Sequence, residues 1–113
     1  MAQTRFSGPV ASDNGFIGGI GGTFTAVLKT SATIDFTSRS ANTTAASSDI
    51  TVTGAAVGDP VLVGVPATIA SGLVITGYVS AANTVKVRAA NVTASPIDPA
   101  SGSYTVTVIK ATA

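Results

Sequence analysis

The run Thr84-Val85-Lys86-Val87-Arg88-Ala89-Ala90 alternates so strictly that one local structure accommodates it. In a strand, Val85, Val87 and Ala89 share one face and Lys86 and Arg88 the other, and a slip of one residue would invert the set. A second strand-forming run, Leu73 to Val79, precedes it, separated by Ser80-Ala81-Ala82-Asn83. Together they predict a β-hairpin. Because Leu73-Val74-Ile75 is apolar on both sides, that first strand is expected at the centre of a sheet.

The rest of the chain after residue 22 carries the same signature of short β-branched runs punctuated by turn residues. Thr23 to Lys29 and Ala32 to Phe36 read as two strands, with Ile34 and Phe36 on one face of the second. Thr37 to Ser48 is polar and reads as a loop with at most a short edge strand. In Asp49 to Thr53, Ile50 and Val52 point inward. Gly54, Gly58 and Asp59-Pro60 mark a turn, after which Val61, Val63 and Val65 share a face until Pro66. Pro66 to Gly72 and Asp98 to Ser101 each suit a single helical turn, and Tyr104 to Ile109 is the closing strand. About six to eight short strands at this spacing predict an all-β fold, a small antiparallel β-sandwich of jelly-roll-like form over residues 23–113.

Residues 1–22 follow neither period. Five glycines fall between Gly15 and Gly22, yet Phe6, Val10, Phe16, Ile17 and Ile20 make the segment apolar, unlike a solvated tail. It reads as an extended arm in need of a surface to lie on. Arg5, Phe6, Phe16, Ile17 and Ile20 are its candidate contact residues.

The chain has no His, Cys, Glu or Trp. General acid–base and nucleophilic catalysis draw mostly on His, Glu, Cys or a base-activated Ser, and zinc, copper and iron sites on His and Cys. The expectation is a protein that is not an enzyme and holds no cofactor or metal. At 113 residues it is one domain's worth, and its 45% hydrophobic content is largely Ala, so the core should be thin and helped by oligomerisation. With 10% charged residues and a net charge of +1, its surface repels neighbours weakly. The first residues lack a basic segment followed by a long apolar run, and no stretch approaches the roughly 20 residues that span a bilayer. The chain is expected to be soluble, without a cleaved signal or a membrane partner.

Individual motifs are weak. Gly18-Gly19-Ile20-Gly21-Gly22 suggests a phosphate loop, but no Gly-Lys-Ser/Thr follows and a strand stands where a helix should begin. Asp13, Asp35, Asp49, Asp59 and Asp98 are scattered and fit no calcium loop. Lys86 and Arg88 could face an acidic partner, although no basic cluster points to nucleic acid. Asn42-Thr43-Thr44 and Asn91-Val92-Thr93 match the glycosylation pattern, which a Thr-rich chain produces by chance. Tyr78 and Tyr104 lie within strand patterns and read as core or interface before sugar-stacking platforms.

The half from Gly58-Asp59-Pro60-Val61-Leu62-Val63-Gly64-Val65-Pro66 through Gly72-Leu73-Val74-Ile75-Thr76-Gly77-Tyr78-Val79 and Ser80-Ala81-Ala82-Asn83-Thr84-Val85-Lys86-Val87-Arg88 to Ile97-Asp98-Pro99-Ala100 resembles a β-sandwich module of tailed-bacteriophage virion proteins. In particular it resembles capsid decoration, or cement, proteins; similar modules also end phage fibres. The likeness spans about residues 48–110. It implies a homotrimer on the capsid exterior that clamps the major capsid protein, with no small-molecule substrate. The alternative is a fibre or knob module binding a receptor carbohydrate through Tyr78, Asn83 or Lys86.

Overall fold

The computed structural model describes residues 3–17 and 23–112. Among them every regular element is a strand, and every pairing is antiparallel. The elements are β1 (Phe16–Ile17), β2 (Thr23–Ile34), β3 (Thr44–Ala46), β4 (Ile50–Thr51), β5 (Val61–Gly64), β6 (Leu73–Ala81), β7 (Thr84–Asn91) and β8 (Gly102–Thr112). One sheet has the order β1-β2-β8-β5. In the other, β6 pairs with the length of β7, while β3 and β4 follow one another along the opposite edge of β7.

The two sheets contribute to one core through β7 and β8. Val85, Val87 and Ala89 from β7, and Tyr104, Val106 and Val108 from β8, are fully buried. Around them pack Ile34, Phe36, Ile50, Val52, Ala55 and Val79. The Phe36 ring meets Tyr104 edge to face, with centroids 5.8 Å apart. The alternation of β7 is thus realised as read, with Lys86 and Arg88 on the outer side.

Several expectations change. The runs 23–29 and 32–36 are not two strands. β2 passes through Thr30 and Ser31 without a break because Val106 and Thr105 of β8 stand opposite and hold the ladder. Among the described residues β6 lies at an edge, paired with β7 alone, and Val74 is accordingly exposed. Residues 49–53 yield only the two-residue β4, since the Val52 N–H leaves the ladder to donate to the Asn83 carbonyl at 2.9 Å. Val65 lies beyond the end of β5 and is exposed. Neither helical turn forms. Pro66 to Ile69 is a β-turn closed by the Ile69 N–H on the Pro66 carbonyl, 3.0 Å. Ile97 is bridged to Arg39, and Pro99 favours extended backbone at Asp98.

Polar groups pin the loops to this frame. Asn83, at φ 60°, turns the β6–β7 hairpin, and its Oδ1 accepts from the Gly54 N–H at 2.8 Å while its own N–H donates to the Ala55 carbonyl. Asn91 is buried, with its Nδ2 donating to the carbonyls of Arg39, Ser40 and Ser95 and its Oδ1 accepting from the N–H and hydroxyl of Thr93. Its amide is therefore consumed internally, which removes it from reach as a glycosylation acceptor. Lys110 Nζ lies 2.6 Å from Asp59 Oδ2, which also accepts from the Ala56 N–H. At Gly77 a Cβ would stand 2.7 Å from Val63 Cγ2, so β5 and β6 approach across the two sheets only because that side chain is absent.

Two predictions follow from the core and the ion pair. Val87→Asp places an unpaired charge in the core and should abolish folding, whereas Val87→Ala should destabilise by about 2 kcal/mol in urea unfolding. The hydrogen bond from Lys110, reinforced by the Ala56 N–H, holds the Asp59 carboxyl below its ordinary range. A depressed folded-state pKa contributes stability that is present above the unfolded-state value, about pH 4, and is lost as pH falls through the lower folded value. Asp59→Asn should flatten that acid limb in thermal melts taken between neutral pH and strong acid.

Candidate protein-binding surface

At the root of the arm, β1 pairs with the first two residues of β2, Phe16 opposite Phe24 and Ile17 opposite Thr23. The chain reaches β1 through Gly15, at φ 87°, where a Cβ would overlap the Phe24 carbonyl oxygen. Only glycine fits that passage. The Ser12 hydroxyl donates to the Gly15 carbonyl at 2.7 Å and fixes the turn at Asp13-Asn14.

The register of β2 against β8 shifts between Phe24 and Ala26, which makes Thr25 an extra residue. Such a bulge places two successive side chains on the same side. Phe24 and Thr25 are both exposed as a result, and alternation resumes with Ala26 turned in and Val27 out. Phe16, Ile17, Phe24 and Val27 therefore keep between 49% and 75% of their surface in solvent. Phe16, Phe24 and Val27 border a shallow cavity of about 190 Å³ lined also by Ser12, Gly15, Thr25 and Ala26, while Ile17, opposite Thr23, projects to the other face of β1. Phe16, Phe24 and Val27 thus form an exposed apolar patch, the candidate contact surface among the described residues.

Of the candidate residues, Arg5 and Phe6 stand on the exposed arm, Phe16 and Ile17 come together in β1, and Ile20 lies outside the described residues, as does the rest of the run 18–22. Lys86 and Arg88 lie on the opposite sheet. Lys86 Nζ is 3.5 Å from Asp49, a solvent-exposed pair worth at most about 1 kcal/mol. The Arg88 guanidinium stacks 4.6 Å from the centroid of Tyr78. No group of three His, Cys, Asp or Glu side chains converges among the described residues.

Phe24 and Val27 belong to this surface although the sequence pattern does not single them out. Strict alternation would place Thr23, Thr25 and Val27 together and Phe24 on the other side; the bulge that reunites Phe24 with Val27 has no marker in residue type. No protein-family model matches the chain, and no curated protein or solved structure matches it either.

Because these side chains make few internal contacts, Phe16→Ser combined with Ile17→Ser should change unfolding free energy by less than about 1 kcal/mol. The same variant should lose most of the fluorescence of a dye that binds apolar surface, such as bis-ANS. Retained fluorescence would place the apolar surface elsewhere.

Proposed function

We propose that this chain is a non-enzymatic structural protein of a tailed-bacteriophage virion, a decoration protein that binds the major capsid protein on the outside of the head and stabilises the shell. Its β-strands are arranged as a jelly-roll-like sandwich carrying an N-terminal arm. The observation that carries this reading is the exposure of Phe16, Ile17, Phe24 and Val27, large apolar side chains left in solvent at the base of the arm, three of them around one shallow cavity. Support comes also from a surface with little charge and from the resemblance of residues 48–110 to such modules.

The mechanism is burial against protein. At about 25 cal/mol per Å² of apolar area, each of these side chains contributes a few kcal/mol before the cost of ordering. A shell repeats its binding sites by symmetry, so an oligomer engages several at once and avidity multiplies a modest single contact. Neither a cofactor nor a small-molecule substrate enters this scheme.

The carbohydrate-binding fibre module is the second reading, and its residues are less free to serve it. Asn83 Oδ1 is engaged by Gly54, Lys86 by Asp49, and the face of Tyr78 by Arg88.

Co-sedimentation with empty heads that lack decoration tests the proposal. The wild-type chain should saturate the shell at a fixed ratio to capsid protein, and Phe16→Ser with Ile17→Ser should weaken binding roughly a hundredfold, the loss expected of two truncated anchor side chains. Unchanged occupancy by the variant would refute the proposed contact, and binding to a glycan array in place of heads would favour the fibre module.

A further inference from the structure

β2 is paired along its length with β8, but on its other edge β1 covers only Thr23 and Phe24. From Thr25 to Ile34 that edge carries no strand among the described residues. Such an edge is a template for another strand. Two cavities lie in the seam beside it, about 410 Å³ between residues 27–30 and 51–53 and about 220 Å³ between residues 33–37 and 45–48. The seam thus runs between the open edge of β2 and the segment that carries β3 and β4.

The arm has the pattern of a strand that fits there. Residues 3–14 are all exposed, and in extended form Phe6, Gly8 and Val10 fall on one face while Arg5, Ser7, Pro9 and Asp13 fall on the other. Laid antiparallel on β2 with Arg5 opposite Asp35, Phe6 comes beside Ile34 and Val10 beside Thr30, both on the core-facing side of β2. On the outer side Arg5 meets Asp35, and Asp13 arrives diagonally from Lys29. Neither Asp35 nor Lys29 has an ion-pair partner among the described residues. Pro9 sits on what becomes the new outermost strand, where a missing N–H is tolerated.

We propose that this edge receives the arm of a second copy of the chain. The chain's own arm carries the same register, since Phe16 opposite Phe24 would continue along β2 to Val10 beside Thr30 and Phe6 beside Ile34, but it does not follow that edge. The chain turns away at Asp13-Asn14-Gly15, where the Ser12 hydroxyl holds the Gly15 carbonyl and Gly15 stands at φ 87°. An arm from another copy approaches the edge free of that turn. Reciprocal exchange closes a dimer, and one-way handing closes a ring such as a trimer. Arg5 and Phe6 then serve the contact between copies, and Phe16 and Ile17 remain for the shell. This goes beyond the shell-binding reading and does not rest on it.

The absence of cysteine gives a clean background for the test. Directly opposed residues of an antiparallel pair have Cα atoms about 4.5–5.5 Å apart, within disulfide range. Chains carrying Arg5→Cys, mixed with chains carrying Asp35→Cys and oxidised without any shell present, should give mainly the mixed disulfide dimer, identified by mass spectrometry. The double variant Arg5→Cys with Asp35→Cys should form linked multimers and not cyclised monomers. By light scattering the wild-type chain should be oligomeric, and Phe6→Asp with Val10→Asp should reduce it to the 11.0 kDa monomer with unchanged strand content. A monomeric wild-type chain, a link confined within one chain, or no excess of the mixed dimer over like-paired dimers overturns the proposal. The shell-binding reading fails separately, by the behaviour of the Phe16 and Ile17 variants on heads.

Discussion

Contact between the inner faces of β7 and β8 is the constraint on which the remainder depends. Three apolar residues from each strand are fully buried, and the two strands belong to different sheets. Each supplies little area by itself, since only Tyr104 among them is large, so the core works by complete exclusion of water and not by bulk. Phe36 completes it by capping Tyr104 edge to face. Burial also raises the Tyr104 phenol pKa by desolvation, and its hydroxyl has no hydrogen-bond partner among the described residues. The apolar packing of the ring must therefore offset the loss of its hydration.

A core this thin leaves little to hold the loops, and hydrogen-bonded polar side chains take that task. Asn91 ties residues 39–40 and 93–95 to the end of β7, Asn83 ties the hairpin tip to residues 52–55, and Asp59 ties its turn to Lys110 near the end of β8. These interactions are directional, and each satisfies backbone groups that would otherwise lack partners. The side chains of the outer strands are released from structural duty in consequence. Phe16, Ile17, Phe24 and Val27 can remain in solvent at the arm without weakening the fold.

How much of this was legible depends on whether an element was specified locally. The hairpin of β6 and β7 was, because alternation fixes the face of β7 and Asn83 supplies the turn. The inward pairs Ile34 with Phe36 and Ile50 with Val52 were legible for the same reason. What escaped was decided by a partner distant in sequence. Thr30 and Ser31 look like an interruption until β8 is placed opposite them, and the edge position of β6 depends on which strand does not arrive. Asn91 resembles a modification motif, yet its burial follows from loops some fifty residues earlier in the chain. The exposed apolar surface at the arm was half legible: Phe16 and Ile17 stood out as apolar residues among glycines, while Phe24 and Val27 required the bulge at Thr25 to bring them together.

The pairing of Thr23 with Thr112 sets the points where the chain enters and leaves the β-domain side by side. Cα atoms of paired residues lie about 5 Å apart, so both ends of the β-domain pass through one narrow stem. A unit of that shape can be spliced into a surface loop of another protein without prising the loop apart, and can be removed again leaving a short scar.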